Sequence, residues 1–105
     1  MGSGGGIYNL GGTVNVSQST LSGNWAVQFG GGIYNSGGTV NVSHSTLSSN
    51  SAGISGGGIY NSLFGTVNVL DYSTIYGNSA PSGADLYNLG VFTTDDSSTI
   101  GVIGP

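Results

Sequence analysis

One hexapeptide returns at a nearly constant step along the whole chain. Gly4-Gly5-Gly6-Ile7-Tyr8-Asn9 recurs as Gly30-Gly31-Gly32-Ile33-Tyr34-Asn35 and as Gly56-Gly57-Gly58-Ile59-Tyr60-Asn61, with a worn copy at Gly83-Ala84-Asp85-Leu86-Tyr87-Asn88. Read on Ile7, Ile33, Ile59 and Leu86, the steps are 26, 26 and 27 residues. A period of that size marks a solenoid, because so short a unit cannot bury its apolar face alone and must stack on a neighbour.

Two further blocks keep the same step. Gly12-Thr13-Val14-Asn15-Val16 returns at Gly38-Thr39-Val40-Asn41-Val42 and Gly65-Thr66-Val67-Asn68-Val69, and decays to Gly90-Val91-Phe92-Thr93-Thr94. Ser19-Thr20-Leu21 returns as Ser45-Thr46-Leu47, Ser73-Thr74-Ile75 and Ser98-Thr99-Ile100. Asn24, Asn50 and Asn78 each follow that third block by three residues. Residues 1–105 thus read as a single β-helix repeat domain, with copies over about 4–29, 30–55, 56–82 and 83–105.

The residue types select strands over helices. The chain has no Lys, Arg or Glu and only four Ala, whereas Val, Ile, Thr and Tyr fill the blocks. Gly, Ser and Asn stand at the joints, where bends need them. Three short strands and three bends per unit make one coil of a right-handed parallel β-helix of about four coils, an all-β fold. Coils stacked roughly 4.8 Å apart would make a body about 20 Å tall. A leucine-rich repeat has an overlapping period, but its Leu-dominated signature is missing. Disorder is rejected because the apolar residues are patterned rather than scarce.

Alternation assigns the faces. Both Val of each Thr-Val-Asn-Val should point inward. Ile7, Ile33, Ile59 and Leu86 form a second inner column, and Leu21, Leu47, Ile75 and Ile100 a third. The extra residues of the third copy, Leu63-Phe64 and one within Leu70-Asp71-Tyr72, fall between blocks, where bends absorb length.

Several function classes are excluded or weakened by composition. Charged residues make up 4% of the chain, with a formal net charge of −4. Nucleic acid is not an expected partner, because phosphate neutralisation needs Lys or Arg. No apolar run is long enough for membrane insertion, and none reads as a signal peptide, so any export signal is expected outside this chain. There is no Cys, hence no disulfide or thiolate metal site.

No catalytic, metal or cofactor-binding residue is expected. His44 is the lone His and occupies the place of Gln18, at a bend or exposed strand position. Asp95-Asp96 is the only adjacent carboxylate pair, and neighbours on a strand point to opposite faces. The Gly triplets lack the Lys and helix of a phosphate loop and the repeated Asp of calcium-binding nonapeptides, and read as tight bends.

Three columns stand out. Asn9, Asn35, Asn61 and Asn88 should form a structural ladder whose amides bond along the axis and hold bends, with Asn24, Asn50 and Asn78 as a second ladder. Tyr8, Tyr34, Tyr60 and Tyr87 should face outward, as a stabilising aromatic ladder or as an exposed binding or packing column for a glycan or a neighbouring solenoid. Thr13 with Asn15, Thr39 with Asn41 and Thr66 with Asn68 make a regular outer face like an ice-binding surface, though Val91-Phe92-Thr93 breaks it.

The Gly-Gly-Gly-Ile-Tyr-Asn, Gly-Thr-Val-Asn-Val and Ser-Thr-Leu-Ser blocks together resemble bacterial right-handed β-helix repeat proteins. They are similar to polymorphic outer-membrane protein repeats and to secreted or surface-anchored solenoids. Those repeats favour Phe where this chain has Tyr8, Tyr34 and Tyr60. The resemblance implies an exported, extracellular or cell-surface protein, often very long and adhesin-like. Pectate lyases and polygalacturonases are also β-helices. The resemblance to lyases would require carboxylate-held calcium and a basic residue, and the chain has no Arg or Lys to supply the base.

The expected function is a non-catalytic structural module whose main partner is itself. The first copy begins directly with the repeat, with no capping helix. The tail Gly101-Val102-Ile103-Gly104-Pro105 could shield the other end, since Pro cannot extend a ladder. Low charge leaves edge pairing unguarded, so subunits are expected to stack head to tail into filaments. A glycan- or ice-binding module is the alternative, and a polysaccharide-acting enzyme ranks behind both.

Overall fold

The computed structural model describes residues 2–105, so Met1, the first residue of the expected repeat domain, lies outside the described residues. The chain is a parallel β-solenoid of about four turns, with no helix among the described residues. The Ile-Tyr-Asn blocks become β1 (Ile7–Leu10), β5 (Ile33–Ser36), β9 (Ile59–Asn61) and β12 (Leu86–Asn88). The Thr-Val-Asn-Val blocks become β2 (Thr13–Ser17), β6 (Thr39–Ser43), β10 (Thr66–Leu70) and β13 (Val91–Thr94). The Ser-Thr-Leu blocks become β3 (Thr20–Ser22), β7 (Thr46–Ser48), β11 (Thr74–Ile75) and β14 (Thr99–Ile100).

Each set stacks in sequence register, with Ile7 beside Ile33, Ile33 beside Ile59 and Leu86 beside Ile59. A fourth ladder enlarges the expected three-strand coil. It consists of β4 (Trp25–Ala26) and β8 (Ser51–Ala52), extended by a parallel bridge from Ser51 to Ser79. Strands of two residues carry no readable alternation, which is why the repeat blocks did not reveal them.

The core is the set of aliphatic columns. Ile33, Val40, Leu47, Ile59, Val67, Ile75 and Leu86 are fully buried. In the first coil Ile7, Val14 and Leu21 are only half-buried, and in the last coil so are Phe92 and Ile100. A middle coil is covered from both sides, whereas a terminal coil has one neighbour.

Both insertions leave the register intact. Leu63 and Phe64 form a turn closed by the Gly65 N–H donating to the Ser62 carbonyl at 3.0 Å. The extra residue near Asp71 is taken up by left-handed backbone at Asp71 (φ 54°) and Tyr72 (φ 61°). At the C-terminus β15 (Ile103–Gly104) pairs with Leu86 and Tyr87, so the tail begins another layer of the first sheet.

The Gly triplets do two jobs, only one of which is bending. Gly30 takes a left-handed φ of +69° at the entry to β5. The next residue, Gly31, is demanded by packing: a Cβ there would overlap the carbonyl oxygens of Ser51 and Gly57. The tight-bend reading therefore holds for the first glycine of the triplet and misses the close approach of neighbouring backbone at the second.

Candidate functional site

Alternation puts Ile7 inside, Tyr8 outside and Asn9 inside again, so the first Asn column is buried within the coil. Asn9 Nδ2 donates to Asn35 Oδ1, Asn35 Nδ2 to Asn61 Oδ1 and Asn61 Nδ2 to Asn88 Oδ1, each at 2.8 Å. The same amides donate across the following bend to the carbonyls of Gly12, Gly38 and Gly65. Each side chain ties two coils together and closes a corner.

The second Asn column ends on a residue of a different type. Asn24 donates from its backbone N and its Nδ2 to Asn50 Oδ1, and Asn50 does the same to Asn78 Oδ1. Asn78 in turn donates from both atoms to Asp85 Oδ1 at 2.9 Å. Asp85 is 3% exposed, and its Oδ2 accepts the Val102 N–H at 2.7 Å. A carboxylate accepts but does not donate, so it terminates a column whose side chain-to-side chain donations run toward the C-terminus. Asp85 stands where the other copies have the third Gly of the triplet, and nothing in the repeat signalled this role.

A serine column was also missed. Ser19 N donates to Ser45 Oγ, Ser45 N to Ser73 Oγ and Ser73 N to Ser98 Oγ, at 3.0, 3.3 and 3.1 Å. The recurrence of Ser before each Thr-Leu was the available signal.

The Tyr column is a closed stack. Ring centroids lie 5.0 Å apart for Tyr8 and Tyr34, 5.2 Å for Tyr34 and Tyr60 and 5.1 Å for Tyr60 and Tyr87, with interplanar angles of 16°, 1° and 6°. Phe29 packs against Tyr60 at 4.6 Å. Burial raises the Tyr60 hydroxyl above its ordinary pKa, and its neighbours Tyr34 and Tyr87 add to the shift. Only Tyr8 is exposed; Tyr34, Tyr60 and Tyr87 are half-buried. Rings that cover one another offer edges to solvent, which leaves little face for a sugar to stack on.

The outer Thr-Asn face carries its own amide ladder. Asn68 Nδ2 donates to Asn41 Oδ1 at 2.8 Å and Asn41 Nδ2 to Asn15 Oδ1 at 3.0 Å. In the last coil Val91 and Thr93 continue these columns, and Phe92 turns inward toward the core.

His44 is exposed at a left-handed bend (φ 47°), as is Gln18 one coil below, and its ring lies 6.3 Å from that of Tyr72. Asp95 and Asp96 sit in a turn after β13, which corrects the strand placement assumed from sequence. Asp95 Oδ2 accepts the Asp71 N–H, and Oδ1 accepts from Ser97 N and Oγ. The Asp71 N–H, followed by the Ser97 hydroxyl, holds the Asp95 carboxyl below its ordinary pKa. No group of three or more His, Asp or Glu side chains suited to a metal ion occurs among the described residues.

On the third sheet Thr46, Thr74, Tyr76 and Thr99 line a shallow open groove of about 420 Å³. The sequence did not single it out, because Tyr76 interrupts a column occupied by Ser22 and Ser48 in the first two coils.

The geometry defines a repeat protein with a parallel β-solenoid fold. Residues 18–36 and 44–62 match the Chlamydia polymorphic membrane protein repeat. Each matched stretch runs from the bend before a third-sheet strand, through the Gly triplet, to Ile-Tyr-Asn of the next coil. Over these two stretches the chain is similar to the polymorphic membrane protein repeat, a family that points to the outer membrane or cell surface. No curated protein and no solved structure matches the chain.

Proposed function

We propose that the chain is a non-catalytic surface solenoid that stacks end to end on further coils, as a head-to-tail filament of copies or as one segment of an adhesin-like surface protein. The observation that carries this is the state of the two terminal coils. Their core residues Ile7, Val14 and Leu21 at one end, and Phe92 and Ile100 at the other, are half-open, while the middle coils are sealed. The body measures 30 × 26 × 23 Å, so by itself it is a stub rather than a rod. With four acidic residues and no basic ones, little charge guards the strand edges.

The non-catalytic part of the reading rests on where the ionisable groups lie. Asp85 is consumed in a ladder, Asp95 is held in a turn, and Asp71, Asp96 and His44 are exposed at bends.

Sedimentation of the purified chain over a rising concentration series, with electron microscopy of the same samples, tests the association. Growth into unbranched filaments is the expected result. A strictly monomeric species at the highest concentration would overturn it.

A further inference from the structure

We propose that the third-sheet groove around Tyr76 binds a neutral oligosaccharide laid along the solenoid axis. This does not depend on end-to-end stacking, because the groove lies on the side of the coil.

Tyr76 differs from the tyrosines of the first sheet in having free ring faces. It is 54% exposed, and no other aromatic ring packs against it among the described residues. The pairing of Ile75 with Ile100 and with Leu47 sets Gly101 on one side of Tyr76 in its column and Ser48 on the other. The glycine is imposed from within. A Cβ at Gly101 would overlap the Asp85 carboxylate, so the residue that ends the buried Asn column also keeps the space beside the Tyr76 ring clear.

The rest of the groove suits a sugar. Thr46, Thr74 and Thr99 are in parallel register, so their outward side chains recur once per coil, roughly every 4.8 Å. That repeat is close to the length of one pyranose unit. Their hydroxyls make no hydrogen bond to other described residues, and each can both donate and accept. An apolar pyranose face can stack on the phenol ring while ring hydroxyls meet the threonines. No charged side chain lines the groove, which favours a neutral glycan over a uronate or a sulfated chain.

The test is titration of the whole chain with cellopentaose, chitopentaose and maltopentaose, followed through its backbone amide signals by NMR. Polygalacturonate and heparin oligosaccharides serve as anionic controls. At least one neutral probe should shift Thr46, Thr74 and Tyr76, and Tyr76→Ser should weaken its binding by about tenfold, as expected for the loss of one stacked contact. Ser already occupies this column at Ser22 and Ser48, so the coil accommodates the change, and Tyr8→Ser should leave the affinity unaltered. The proposal fails if no neutral probe binds, if only the anionic oligosaccharides bind, or if Tyr76→Ser binds as well as the parent chain.

Discussion

The buried and outer asparagine columns use the same residue, the same coil step and nearly the same hydrogen-bond length, yet they differ in what they hold up. Asn35 donates to Asn61 Oδ1 at 2.8 Å inside the coil, and Asn68 donates to Asn41 Oδ1 at 2.8 Å on its surface. Asn35 is fully buried and also satisfies the Gly38 carbonyl. Asn15 is exposed and Asn41 half-exposed, with water as a ready substitute partner. The columns also run in opposite senses, with donors toward the C-terminus inside and toward the N-terminus outside. A distance alone therefore does not value a hydrogen bond. The alternative available to each group when the bond is broken sets its worth.

The sharpest test of that contrast is Asn35→Ala. It removes one of the acceptors of Asn9 Nδ2 and one of the two donors to the Gly38 carbonyl, and it leaves Asn61 Oδ1 without its donor inside the coil. We expect a loss of about 3 kcal/mol, read as a fall in the urea midpoint.

Asp85→Asn should have a smaller and more local effect. One orientation of the new amide keeps the acceptor for Asn78 but sets an NH₂ against the Val102 N–H, and the flipped orientation reverses the conflict. A loss of about 1–2 kcal/mol is expected, with hydrogen exchange accelerated at Val102 and Asn78 before it changes at Ile59. Uniform acceleration across all coils would show that Asp85 does more than end the column.

Asn41→Ala should be the mildest of the three, within about 0.5 kcal/mol of the parent. If it costs as much as Asn35→Ala in the same urea experiment, burial is not what separates the two columns.

Much of this was legible beforehand because solenoid geometry is local in one sense: a residue's partner is the residue one repeat away. Once Ile7 and Ile33 are aligned, Asn9 and Asn35 must be neighbours, and a period of two places Ile inside, Tyr outside and Asn inside. The same logic places the Val pair of each Thr-Val-Asn-Val in the core. Features that depart from the repeat were not legible in this way. Asp85 pairs with Asn78, seven residues away, and with Val102, seventeen away, distances unrelated to the coil step. The second glycine of each triplet answers to backbone across the coil, and β4 and β8 are too short to show alternation.

By itself the sequence determined the coil, its register and which columns face inward, because an exact repeat allows only stacking on itself to bury its aliphatic residues. The tertiary structure alone decided how much each column is worth and where the regularity stops. Stacking covers the faces of Tyr34 and Tyr60 but leaves Tyr76 bare between Ser48 and Gly101, and a single carboxylate at Asp85 ends one ladder. Those outcomes depend on what lies beside a residue in three dimensions, and the same asparagine or tyrosine reads identically in the chain whether its neighbour is water, another ring or an empty space.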